Sequence, residues 1–230
     1  IWRYNTFSKC RLAGVEISTQ TANQTISGIT VRGNFFKDLG LGWAGSVSNN
    51  SGVNITNNGG VTCTLQNIYI DGNKFYNCSN YNILLNAGVS QSNIQVSRNF
   101  INTFSLRGIR TTGPANIFGN IIQYQTYGVE LIGSAAPTVN VYNNTFYKNE
   151  RALRGDAAGA TLICKNNIIL ENTFSYSHSG VGTIFTASNN LNYLNGSSPS
   201  YSSTGDIIVN PILNSYLKPL VSSPLISAGT

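Results

Sequence analysis

The sequence predicts an all-β fold: a single-stranded, right-handed parallel β-helix of three short strands per coil, about eight coils long, with an asparagine ladder and a C-terminal capping segment. Three observations predict it. Asn99, Asn120, Asn144, Asn167 and Asn190 follow one another at steps of 21, 24, 23 and 23 residues, and Asn73, Asn34 and Asn5 extend the series backwards at steps of 26, 39 and 29, where loops are inserted. Aliphatic and aromatic residues flank each asparagine at constant offsets. A second apolar segment begins about eight or nine residues after each one.

The first strand of each coil lies just before the asparagine. Five positions before it stand Ile29, Ile68, Ile94, Ala115, Val139, Leu162 and Phe185, and three before it Val31, Ile70, Val96, Ile117, Val141, Cys164 and Ala187. The residues between are Thr30, Tyr69, Gln95, Asn116 and Asn140, with Ile163 as the exception. This alternation is the period-two signature of a strand with one face buried. Two positions after the asparagine come Phe7, Phe36, Phe75, Ile101, Ile122, Phe146 and Ile169, breaking to Asn192 at the last coil. Repetition at about 23 residues means that each strand stacks on its own counterpart one coil later, not on a hairpin partner. The asparagine suits the tight turn between two strands, because it tolerates left-handed backbone and its amide bonds to nearby main chain. In register, the amides also satisfy one another along the axis.

The remaining strand of the coil reads Gly14-Val15-Glu16-Ile17, Gly52-Val53-Asn54-Ile55, Gly108-Ile109-Arg110-Thr111 and Gly128-Val129-Glu130-Leu131, with looser copies at Asn82-Ile83-Leu84-Leu85 and Ala152-Leu153-Arg154-Gly155. Residues 1–194 are therefore read as coils, and residues 195–230 as a loop and capping segment of the same domain. Residues 195–206 read as a surface loop, and the apolar alternation beyond them predicts a terminal strand folded over the last coil. The chain begins inside a coil, so its N-terminal coil is expected to be covered by a segment outside this sequence or by a partner chain.

With 230 residues, 41% of them hydrophobic, the chain can bury a substantial core in one elongated domain. Charged residues make up only 10%, and Ser, Thr, Asn, Gly and Tyr supply the polar surface, a balance that points to a secreted or cell-surface protein. The net charge is +6, but the 14 basic residues form no cluster, so nucleic acid is not an expected partner; an acidic polysaccharide is. No apolar run is long enough for a membrane span. Cys164 sits in an aliphatic column and reads as a packed thiol. Cys10 and Cys78 share the position five after their asparagines, with Leu39 between them, so two coil spacings, about 9–10 Å, put a disulfide out of reach. No Cys-x-x-Cys pair exists and His178 stands alone in an expected loop, so no zinc site, and no catalytic role for the histidine, is predicted. No cofactor is predicted: calcium is compatible with the composition, but the 8 scattered acids offer it no clear site.

The outward residues of the Gly-Val-Glu-Leu type strands are Glu16, Asn54, Leu84, Arg110, Glu130 and Arg154. Arg110, Glu130 and Arg154 fall on three adjacent coils and are the candidate catalytic group. A uronate lyase needs a cation against the substrate carboxylate and a base for the neighbouring proton, roles that arginine and a carboxylate can divide. Asp156 follows Arg154 as a candidate second carboxylate. Candidate binding residues are Glu16, Asn54 and Asp156 on this strip and Phe118, Tyr142 and Lys165 in one outward column elsewhere. Trp43 joins them from the insertion over residues 37–51, which precedes one of these strands and is placed to wall a groove. A glycosidase would need two facing carboxylates, and the only candidates are Glu130 and Asp156.

The columns, the asparagine ladder and the tail, with Asn210-Pro211 and Ser223-Pro224-Leu225, together resemble the right-handed β-helix superfamily of pectate-lyase-like proteins across nearly the whole chain. Arg154-Gly155-Asp156 distantly resembles the Arg-His-Gly-Asp run of chondroitinase B and the alginate lyases, here without the histidine, and Glu130 stands one coil earlier where those enzymes carry a basic residue. The resemblance implies substrate along the Gly-Val-Glu-Leu strands and, in those enzymes, β-elimination beside an acidic calcium site. The superfamily also holds hydrolases, phage tailspikes, adhesins and passive scaffolds. The expected function is a carbohydrate-active module that binds or cleaves an acidic polysaccharide, as a lyase if it is an enzyme. The alternative is a non-catalytic structural or adhesive segment of a larger surface protein, filament or phage appendage.

Overall fold

Period-two strands that repeat at one phase can satisfy their backbone only by pairing with the equivalent strand of the next coil. The computed structural model describes residues 1–19, 21–40, 50–57, 63–86, 88–133, 136–178, 182–196 and 202–224, and every regular element among them is a strand. Trp43 lies outside the described residues. The first coil holds β1 (Trp2–Arg3), β2 (Thr6–Ser8) and β3 (Ala13–Thr19), and the second β4 (Gln24–Arg32), β5 (Phe35–Leu39) and β6 (Ser51–Asn57). The third is β7 (Cys63–Asp71), β8 (Lys74–Cys78) and β9 (Tyr81–Asn86); the fourth is β10 (Gly88–Ser97), β11 (Phe100–Asn102) and β12 (Arg107–Thr111). The fifth comprises β13 (Ala115–Phe118), β14 (Ile121–Gln123) and β15 (Tyr127–Gly133), and the sixth β16 (Thr138–Tyr142), β17 (Thr145–Tyr147) and β18 (Arg151–Ala157). The seventh has β19 (Thr161–Lys165), β20 (Ile168–Leu170) and β21 (Phe174–His178), and the last β22 (Ile184–Ser188) and β23 (Leu191–Tyr193), followed by β24 (Ser202–Thr204).

The first strands of the coils form a 9-stranded sheet A, the second strands an 8-stranded sheet B and the third strands a 7-stranded sheet C, all with parallel pairing between consecutive coils. The fold is the predicted three-strand-per-coil parallel β-helix. Its interior consists of the predicted columns: Val31, Ile70, Val96, Ile117 and Val141 are fully buried, with Cys164 and Ala187 continuing the line. The rings of Phe7, Phe36 and Phe75 stack at 5.0 and 4.8 Å with interplanar angles of 8° and 5°. The glycine that opens several sheet C strands is required by this stacking. A Cβ on Gly14 would lie 2.5 Å from the Phe36 ring, and one on Gly128 would lie 2.5 Å from the Ala152 carbonyl oxygen.

The asparagine ladder runs as expected from Asn5 to Asn190. In each rung the backbone N–H and Nδ2 both donate to Oδ1 of the next, as Asn120 does to Asn144 at 3.0 and 2.9 Å. Nδ2 also reaches a main-chain carbonyl, Val96 in the case of Asn120. The ladder ends on Asp206, whose Oδ1 accepts the N–H of Asn190 at 2.9 Å and its Nδ2 at 3.2 Å. The segment read from sequence as a surface loop thus ends in β24 and the terminal rung: the repeat continues with its connection shortened and a carboxylate in place of the amide. A second ladder stands five residues after the first. Gln125, Asn149 and Asn172 donate their backbone N–H to Oδ1 of Asn149, Asn172 and Asn195 at 2.9, 2.9 and 2.8 Å.

Where the tail was expected to add a strand over the last coil, Ile207 instead makes a single parallel bridge to Leu191, and Leu213 an antiparallel one to Pro219. The tail then lies against the outer face of sheet B: Pro211 is buried, Val209 and Ile212 are 37% and 39% exposed, and Leu225 and Ile226 lie outside the described residues. All four cysteines are free. Burial, helped by the nearby Asp38, pushes the Cys78 thiol up to about 12, and Cys164 is raised by burial within its apolar column.

Candidate functional site

Register decides which side chains meet on the outside of sheet C. Leu84, Arg110, Glu130 and Arg154 are successive partners from β9 to β18, as the strand alignment predicted, and Ser177 of β21 continues the column by one coil. A second column lies beside it: Tyr81, Arg107, Tyr127, Arg151 and Phe174. Side chains of the two columns touch across the face, which brings Arg107 and Arg151 to the group.

Glu130 is the hub, with its side chain only 2% exposed. Its Oε2 receives Arg107 Nε at 2.5 Å and lies 3.4 Å from Arg110 Nε, while its Oε1 lies 3.4 Å from Arg154 Nη1. Arg154 Nη2 pairs with Asp156, and Arg151 Nη1 with Glu150 at 2.5 Å. The rings clamp the guanidinium groups: Arg154 lies 4.3 Å from the Tyr127 centroid, and Arg107 5.0 Å from that of Tyr81, within cation–π range. Arg110 Nη1 donates to the Tyr81 hydroxyl at 2.6 Å. Four arginines, three carboxylates and three aromatic rings thus occupy one face. The guanidinium groups are held rigidly but not sealed, since the side chains of Arg107, Arg110 and Arg154 keep 19%, 21% and 22% of their exposure.

The other sequence candidates lie elsewhere. Glu16 is exposed in the first coil, separated from Arg110 in the same column by Asn54 and Leu84. Asn54 is 1% exposed, and its amide atoms have no hydrogen-bond partner among the described residues. Phe118 and Tyr142 stack with their centroids 5.0 Å apart and planes at 4°, and Lys165 follows in register, but this platform is on sheet A. Asp71 and Ser97 precede it in the same column. Asp71 accepts hydrogen bonds from Arg98 at 2.7 Å and Ser97 at 2.8 Å and pairs with Arg32 at 3.2 Å. Burial acts to raise its pKa; the bonds from Arg98 and Ser97 and the charge of Arg32 outweigh that and hold it below the usual carboxylate value. His178, expected in a loop, ends β21 beside Gly155, because the sheet C register carries one coil further than the sequence pattern indicated.

Sequence reasoning missed Arg107, Arg151, Tyr81, Tyr127 and Phe174. Their signal was a second fixed position, two residues before the buried Ile83, Ile109, Val129, Leu153 and Tyr176. Among the described residues no group of three His, Cys, Asp or Glu side chains is arranged to hold a metal ion, and no helix is long and apolar enough to cross a membrane. Comparison with protein-family models, with curated proteins and with solved structures finds no match.

Proposed function

We propose that the outer face of sheet C binds an acidic polysaccharide, and that it binds without cleaving. The observation that carries this reading is the set of guanidinium groups of Arg107, Arg110 and Arg154, fixed around one buried glutamate on adjacent coils. An arginine presents five N–H donors in a rigid fork suited to carboxylate and sulfate oxygens. The internal bonds use only part of each fork, and the order imposed by Glu130 and the rings lowers the entropy lost when a ligand binds. Glu130 is poorly placed as the base of a β-elimination: both its oxygens face arginines, and a substrate proton has no route to them. The acid polymer is expected outside the cell or on its surface, which is where this reading places the protein.

The test is titration of the protein with polygalacturonate, alginate and chondroitin sulfate, with ultraviolet absorbance of unsaturated product followed in parallel. Binding that weakens with salt, falls roughly tenfold (about 1.4 kcal/mol) in Arg151→Ala and Arg154→Ala, and yields no absorbance is the expected result. Appearance of unsaturated product would replace binding by catalysis. A second reading, a structural or adhesive rod, is favoured by one observation: Glu130, Glu150 and Asp156 are each already paired with arginine. Absence of binding to all three polymers at low salt would leave that reading standing.

A further inference from the structure

Sheet B and the tail enclose a cleft of about 580 Å³, inside the size range of ligand pockets. We propose that this cleft is a separate glycan site and that it takes a neutral, hydroxyl-rich saccharide chain lying along the rod. The proposal is independent of the sheet C reading.

One wall is a register column on consecutive coils: Gln123 pairs with Tyr147, Tyr147 with Leu170, and Leu170 with Tyr193. Tyr147 and Tyr193 are thus two strand spacings apart, about 9–10 Å, a separation suited to alternate sugars of an extended chain. Their rings are half-buried; Lys148 Nζ lies 4.9 Å from the Tyr147 centroid, so a pyranose would pack its carbon face on the other side of that ring, with the tyrosine hydroxyls at its polar edge. The opposite wall is the tail, and it is built to hold its shape. Asn214 Oδ1 accepts the N–H groups of Tyr216 and Lys218 at 2.9 and 3.1 Å, Leu220 N–H donates to Ile212 O at 3.0 Å, and Ser223 Oγ donates to Pro211 O.

The lining chemistry selects the ligand. Asn102, Gln123, Asn210 and Asn214 bring amides, which can both donate and accept and so match sugar hydroxyls. Glu171 is the one charged residue among the described lining, and Lys148 already pairs with it at 3.4 Å. No cation is left inside for an acidic chain, which the face of sheet C suits instead. Tyr124 also lines a shallower depression of about 240 Å³, shared with Phe104. The Phe104 ring is 87% exposed and sits 5.1 Å from that of Tyr124, an outlying platform for a further sugar.

The experiment is calorimetric titration of the full chain with four neutral hexasaccharides, cellohexaose, xylohexaose, mannohexaose and maltohexaose. At least one is expected to bind at millimolar or lower concentration. Tyr147→Ala and Tyr193→Ala are each expected to weaken that binding at least fivefold, and Tyr147→Phe and Tyr193→Phe, which keep the ring, by less. Thermal melts of the same variants separate lost rings from lost folding. Arg154→Ala is expected to leave neutral-sugar binding unchanged and to weaken binding of acidic polymers, so the two sites fail or stand separately. No binding by any of the four, or equal affinity in a folded Tyr147→Ala/Tyr193→Ala double variant, would overturn the proposal.

Discussion

A single ladder asparagine satisfies five groups. Asn144 accepts from the N–H and Nδ2 of Asn120, and the two hydrogens of its own Nδ2 are shared among Ile117 O at 2.9 Å, Tyr142 O at 3.1 Å and Asn167 Oδ1 at 3.1 Å. Water does not reach these atoms, since Asn120, Asn144 and Asn167 are each 1% exposed. Asn144→Ala therefore strands several buried polar groups at about 1–3 kcal/mol each, and a loss on the order of 3–5 kcal/mol is expected in urea unfolding. A loss below about 1 kcal/mol would mean that water enters the gap in place of the amide. The last rung differs in that a carboxylate, with no N–H of its own to donate, replaces the amide. Asp206 only accepts: its Oδ1 takes Asn190, and its Oδ2 takes Asn192 Nδ2 at 3.3 Å. Glu130 poses the opposite problem, an acceptor that three cations depend on. Glu130→Gln keeps the shape and removes the charge, leaving Arg107, Arg110 and Arg154 crowded together. Breaking a buried pair from one side costs about 3–5 kcal/mol, and that range is expected in denaturant titration, with partial recovery at high salt.

At the scale of the strand, what matters is how closely consecutive coils approach. A methyl group on Gly128 would meet the Ala152 carbonyl oxygen at 2.5 Å and the Phe146 ring at 2.9 Å. Neither can move without disturbing the next coil, so Gly128→Ala is expected to lower stability by about 1–3 kcal/mol and to shift the strand that carries Glu130; thermal melts and salt-dependent polymer binding read the two effects. The glycine was visible in the sequence as the start of the Gly-Val-Glu-Leu pattern, but its reason was not, because the clash involves a residue 24 positions away. Apart from β21 and β24, the strands of the three sheets were legible because period two and a constant phase survive in the one-dimensional text. So was the triad of Arg110, Glu130 and Arg154, which needs only the strand alignment. The second ladder was legible in principle at a fixed five-residue offset, yet Cys10, Leu39 and Cys78 hold that position in the early coils and hide it. Asp206 was hidden because it follows Asn190 by 16 residues and is not an asparagine. The sheet B cleft was invisible, since the tail that walls it has no repeat to place it.

At the scale of the rod, each coil touches only its neighbours, so stability is a chain of local couplings, and a clamp that spans several coils has more reach than its own contacts suggest. Asp71 is such a clamp: it joins Arg32 at the end of β4 to Ser97 and Arg98 at the end of β10, across three consecutive coils. Its folded pKa is depressed below the ordinary 3.8, with burial opposing and the Arg98 and Ser97 bonds and the Arg32 charge prevailing. A depressed carboxylate pKa makes the folded state bind its proton later than the unfolded chain does. The stabilisation is therefore full above the unfolded value and is lost as pH falls below it, through the folded value. Asp71→Asn is expected to be less stable than the parent at pH 7, and the gap is expected to close as pH drops below about 4. Urea titrations at pH 7, 4 and 2.5 check it. The clamp sits in the N-terminal half, so tyrosine fluorescence is expected to show the variant's early coils losing structure before the Arg107–Arg154 face does. A gap that stays constant from pH 7 to pH 2.5 would mean that Asp71 acts through shape rather than charge. Simultaneous loss of both regions would mean that the eight coils unfold as one unit.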